Sequence, residues 1–86
     1  MSDHHSTDFQ GSVTDAIEAA IRQAIPDAQV HAQGGGGHFE ITVIAKVFEG
    51  QRTLARHRMV LGAIAHLMSG DRAPVHAVDR IDARPE

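Results

Sequence analysis

Phe48-Glu49-Gly50-Gln51-Arg52-Thr53-Leu54-Ala55-Arg56-His57-Arg58-Met59 is where the chain changes its period. Before it, Phe39, Ile41, Val43, Ala45 and Val47 alternate with His38, Glu40, Thr42, Ile44 and Lys46. That is the two-residue rhythm of a strand with one buried side. After it, Leu54, Leu61, Ile64, Ala65 and Met68 fall on one helical face, widened by Val60 and Leu67. Gly50 stands at the break, where the missing Cβ opens turn conformations closed to other residues. Arg56, His57 and Arg58 then gather cationic or near-cationic groups in the opening turns of the helix. A helix N-terminus is already partly positive, so cations there cost about 0.3–1 kcal/mol each. The sequence therefore predicts an anion or a tertiary contact that offsets them.

Upstream of this corner lie a helix and a second strand. Ser12-Val13-Thr14-Asp15 has the spacing of a helix N-cap, with Asp in place of the commoner Glu. Val13, Ile17, Ala20, Ile21 and Ala24 form the apolar face, with Glu18 and Arg22 expected as a weak pair on the opposite face. Pro26 stops the helix, because the residue before proline avoids helical geometry. Ala28, Val30 and Ala32 alternate with Gln29, His31 and Gln33 as a short strand. Gly34 to Gly37 reads as a hairpin connection. A strand follows these glycines, whereas a phosphate loop needs a helix. Ile44 on the polar side of the second strand predicts a central position for it.

Downstream, Gly62 costs about 1 kcal/mol relative to alanine, which predicts a close neighbour there. Ser69-Gly70-Asp71 ends the helical region. Val75-His76-Ala77-Val78-Asp79-Arg80-Ile81 is the last strand, with imperfect alternation that marks an edge or a bulge, and residues 82–86 are a polar end. The order is helix, strand, strand, helical region, strand. A hairpin followed by a helical crossover gives an α+β fold, a three-stranded mixed sheet with helices packed on one face and strands two and three parallel. Residues 1–11 read as a flexible N-terminal tail, 12–83 as one domain and 84–86 as a C-terminal tail.

Composition narrows the function. The chain has 86 residues, 42% of them hydrophobic and 3% aromatic, which predicts a thin core of Val, Ile, Leu and Ala. The net charge of −3 does not mark a phosphate-seeking protein. No apolar run approaches the ~20 residues of a membrane span, and no signal peptide opens the chain, so a cytoplasmic protein is expected. There is no cysteine, hence no disulfide and no thiolate ligand.

Seven histidines are the anomaly. His4 and His5 lie in the polar leader as at most a weak metal-binding pair. His31 and His38 flank the glycine hairpin, and His76 lies in the last strand. Neutral imidazole suits iron or zinc. On pattern alone, a strand histidine is more often a polar surface residue, His38 a hydrogen-bonding residue opening its strand, and His66 a solvent-facing helix residue. Gly50 with Arg52, Arg56, His57 and Arg58 forms a local basic patch. It suits a nucleic acid, an acidic partner surface or a glutathione carboxylate. The acidic balance and the lack of stacking aromatics beside the patch weigh against DNA. No nucleophile elbow, carboxylate pair or complete metal motif appears, so no enzyme is expected.

Taken together, Gly37-His38-Phe39-Glu40-Ile41, Phe48-Glu49-Gly50, Arg56-His57-Arg58-Met59-Val60 and Val75-His76-Ala77-Val78 resemble the BolA family. The short glycine hairpin is similar to that of its IbaG branch. The resemblance spans roughly Val13 to Ala83. It implies an αββααβ fold similar to class II KH domains. It also implies partnership with a monothiol glutaredoxin through a shared, glutathione-assisted [2Fe-2S] cluster, in iron–sulfur trafficking or iron sensing. The alternative is a KH-like nucleic-acid-binding transcriptional regulator working through Gly50, Arg52, Arg56 and Arg58; whether the free protein forms a homodimer is left open by the sequence. The resemblance puts His76 at the family's constant ligand position. A second Cys or His in that family comes from the first hairpin loop. Here the loop is all glycine, which leaves His31 and His38 as candidates. With no cysteine of its own, the chain requires a partner's thiolates, which Fe–S clusters prefer. Imidazole ligation would raise the cluster's potential and make binding pH-dependent.

Overall fold

The computed structural model describes residues 12–86; the expected tail, with His4 and His5, lies outside them. The elements run α1 (Val13–Ala24), β1 (Gln29–Gly35), β2 (His38–Ile44), a 3-10 turn (Lys46–Phe48), α2 (Thr53–Ala63), a second 3-10 turn (Ala65–Leu67) and β3 (Ala77–Arg84). The sheet order is β1-β2-β3, with β1 antiparallel and β3 parallel to the central β2. The fold class and the central second strand agree with the sequence reading.

Ser12 caps α1, its hydroxyl accepting from the Asp15 amide at 3.2 Å. Ile17 and Ile21 are fully buried against Ile41, Val43, Val60 and Ile64. The expected aliphatic core needs one correction: Phe39 and Phe48 are both inside it, at 3% and 0% exposure. Phe48 gets there because β2 ends at Ile44 and the 3-10 turn swings Phe48 inward. The same turn rotates Val47 out to 40% exposure.

Glu18 and Arg22 do not sit on an idle solvent face. The Glu18 carboxylate accepts the Ala32 amide at 2.9 Å, Arg22 reaches the Val30 carbonyl at 3.5 Å, and the two side chains pair at 3.6 Å. Together they close the outer edge of β1, which would otherwise offer unpaired backbone groups. A charge-assisted hydrogen bond contributes about 1.5–3 kcal/mol. Glu18→Ala is expected to lower stability by an amount of that order, read as a lower urea midpoint, and Glu18→Gln by less. Equal midpoints for wild type and Glu18→Ala would contradict this role.

The inward face of the helical region from α2 through the second 3-10 turn also differs from the expected one. Val60, Ile64 and Leu67 are buried, while Leu54 is 62% exposed. Leu54 lies six residues from Val60, about 120° away around the helix at 3.6 residues per turn. The Cβ that Gly62 lacks would meet open space, so the expected close neighbour is not there.

The last strand starts later and runs further than its sequence pattern suggested. Val75 is buried but precedes β3, and pairing continues to Arg84. The register shifts at Asp79: Val78 pairs with Phe39, and Arg80 pairs with Glu40. This bulge resolves the irregular alternation. Val78 and Ile81 are three residues apart, yet both pack on the core side, because the extra residue restores the phase.

Arg56 accounts for one of the cations at the start of α2. Its Nε donates to the Gln51 carbonyl at 2.9 Å and one terminal nitrogen donates to the Ala83 carbonyl at 3.0 Å. The tertiary contact is thus a pair of backbone carbonyls, one in the Gly50 turn and one on β3.

Candidate metal-ligand site at the glycine hairpin

The hairpin connection is tighter than a four-residue loop. Gly34 and Gly35 already pair with Phe39 and His38, leaving Gly36-Gly37 as a two-residue turn. Both have positive φ, +62° and +87°, as a turn matched to the strand twist requires. The Gly37 carbonyl accepts two amides from the approach to β3, His76 at 2.8 Å and Ala77 at 3.0 Å. The first hairpin is thereby tied to the start of the last strand.

His76 lies at this junction, and its side chain is exposed. Its ring packs over the Cα of Gly37: a Cβ there would stand 2.9 Å from Cδ2 and 3.0 Å from Cγ. The imidazole is therefore an open group resting on the hairpin, within reach of an approaching partner. Glycine is the residue that lets it sit so close.

His38 is at the same end of the sheet. It pairs across β2 and β3 with Ala77, the neighbour of His76. Alternation with buried Phe39 puts it on the sheet face not covered by helices. Its Nδ1 lies 3.2 Å from the Asp79 carboxylate, and the two side chains are 61% and 53% exposed.

His31 is elsewhere. It pairs with Thr42, four residues along β1 from Gly35, or about 13 Å at ~3.3 Å per residue. It lines a shallow polar recess on the open sheet face with Gln33, Glu40, Thr42, Arg80 and Asp82. Of the three candidate ligands, the fold brings His76 and His38 to one end and leaves His31 on the middle of the face. Among the described residues, no group of three or more His, Cys, Asp or Glu side chains is arranged to hold a metal ion. Within residues 12–86, His76 and His38 are the candidate donors that the fold brings to this end of the sheet.

The basic patch is smaller than its sequence suggested. Arg52 and Arg58 are exposed, His57 is half-buried, and Arg56 is committed to the two carbonyls described above. Asp79 did not stand out in the sequence as part of any site. Its signal was the irregular alternation around it, read there as a feature of the strand alone.

A small α+β layer with an exposed imidazole resting on a glycine hairpin defines the class, and comparison with known proteins places the chain within it. The family model for BolA-like proteins matches residues 6–84. The chain is 26% identical over 62 residues to acid stress protein IbaG of Escherichia coli strain K12, covering 72% of this chain and 71% of that one. It is 34% identical over 76 residues to human BolA-like protein 1, covering 72% of this chain and 53% of the human one. It therefore spans about half the length of the human relative. A solved bolA protein homologue from Coxiella burnetii superposes with a TM-score of 0.72 at 33% identity, over 87% of this chain and 92% of that one. The chain belongs to the BolA family.

Proposed function

We propose that this protein is an accessory module that completes a [2Fe-2S] cluster held mainly by a monothiol glutaredoxin and its glutathione. His76 supplies one imidazole and His38 the second. The observation that carries this reading is the exposed His76 ring laid over Gly37, at the end of the sheet that also presents His38. The donor set fits a shared cluster and no independent one. Two imidazoles without any cysteine leave the remaining positions to a partner's thiolates. The cluster would supply a redox-active, transferable iron centre, and the chain's own part is to present two neutral nitrogen donors on a rigid sheet end. The role is binding and handover in iron–sulfur trafficking or iron sensing, without catalysis, in the cytoplasm. Among the described residues, no helix is long and apolar enough to cross a membrane.

The test is to mix the protein with a cluster-loaded monothiol glutaredoxin and follow visible absorption and circular dichroism. A new spectrum distinct from the glutaredoxin homodimer's is expected. His38→Ala should alter that spectrum, and His31→Ala should leave it as in wild type. The reverse pattern would transfer the second-ligand role to His31. No spectral change on mixing would remove the proposal. The nucleic-acid alternative keeps only Arg52 and Arg58 as exposed guanidinium groups in its patch.

A further inference from the structure

We infer that Asp79 is the positioning residue for His38, fixing its proton on Nδ1 so that Nε2 is left as the metal-binding nitrogen. The inference rests on the proposed role of the hairpin end and adds a residue to it.

The observation is the bulge in β3. Sequence forces it: Val78 and Ile81 both belong to the core side, and two polar residues stand between them. Regular pairing from Val78 onward would set Asp79 opposite Glu40 and Arg80 opposite buried Ile41. That places two carboxylates together and a guanidinium toward the core. The bulge avoids both, and Arg80 takes the place opposite Glu40. It also leaves Asp79 as the unpaired residue of the strand, with its carboxylate 3.2 Å from His38 Nδ1. Bulges commonly re-aim a side chain in this way.

The chemistry of the pair then bears on the proton. An ionised carboxylate only accepts hydrogen bonds. At 3.2 Å an unprotonated Nδ1 would turn its lone pair on the carboxylate, so the contact favours the tautomer with the hydrogen on Nδ1. In neutral imidazole the other nitrogen must then be the acceptor. Carboxylate–histidine–metal arrangements orient ligating histidines by this means, and losing the carboxylate typically weakens metal affinity about 10–100-fold. His31 has no such carboxylate partner among the described hydrogen bonds and ion pairs, which sets His38 apart from it.

The experiment uses the metal-free chain, labelled with 15N at histidine. Long-range proton–nitrogen correlation spectra, recorded above the ordinary histidine pKa of about 6.5, report which ring nitrogen is protonated. Wild-type His38 is expected in the Nδ1–H form. Asp79→Ala is expected to shift it toward the Nε2–H form, and Asp79→Asn, which keeps an acceptor oxygen, to retain much of the wild-type pattern. A merely structural role for Asp79 would lower stability without moving the tautomer, so a thermal melt of each variant is recorded alongside. Wild-type His38 protonated on Nε2, or a tautomer unchanged in Asp79→Ala, would overturn the inference. Neither result depends on cluster binding. Failure of the glutaredoxin reading would show separately, as no new spectrum on mixing.

Discussion

His76→Ala is expected to abolish the distinctive visible spectrum of the mixed glutaredoxin complex while the chain stays folded. The side chain is exposed, and its anchoring to the hairpin runs through its backbone amide, which alanine keeps. Surface changes of this kind usually alter stability by less than about 0.5 kcal/mol. The loss should therefore appear in the cluster and not in the fold. The metal-free complex is expected largely to survive, because the substitution removes one exposed ring and leaves the fold in place. Equal thermal melts with a lost spectrum are the expected pair of results. A mixed-complex spectrum identical to wild type would take His76 out of the site.

Gly37→Ala is expected to produce much of the same defect from the other side of the contact. The new methyl would stand 2.9 Å from His76 Cδ2, 3.0 Å from Cγ and 3.2 Å from Cβ, so the ring must move. The φ of +87° adds strain of about 1–2 kcal/mol for a residue with a Cβ. Gly36→Ala is the control. Its φ is also positive, at +62°, but its Cβ would meet nothing within 4 Å. Both variants should lose comparable stability, read by thermal melting. Only Gly37→Ala should displace the His76 side-chain resonances and weaken the mixed-complex spectrum. Equal effects of the two on the spectrum would mean that the ring's seat on Gly37 has no bearing on ligation.

Much of this fold was legible because its first two strands and first helix keep clean periods. Phe39 to Val43 alternates without a break, and Ser12, Pro26 and the glycine run mark element ends by local chemistry alone. The errors lie where tertiary contacts override the local pattern. Leu54 fits the helical stripe of its neighbours, yet α2 turns Val60 into the core and leaves Leu54 62% exposed. Glu18 and Arg22 look like a solvent-face pair until β1's edge is found beside them. Arg56 in the opening turns of a helix was recognisably out of place. The carbonyls that accept from it, Gln51 and Ala83, are 5 and 27 residues away in sequence, and the second depends on the fold.

The candidate site was legible in part for the same reason. His76 and His38 are visible as strand histidines, but only the β2–β3 register and the Gly37 carbonyl bring them to one end. Nothing in one sequence separates His31 from His38, since both flank the hairpin at short range. The separation is geometric: four residues of extended strand carry His31 away from the turn. Asp79 was hidden because its value depends on a bulge that alternation hints at without locating.

The most direct measurement is electron–nuclear double resonance on the reduced mixed complex, with only this chain labelled with 15N-histidine. A coupling from a directly bound 15N, present in wild type and lost or reduced in His76→Ala, is the expected result. A reduced cluster with no 15N coupling from this chain would show that none of its histidines is bound and contradict the proposed role.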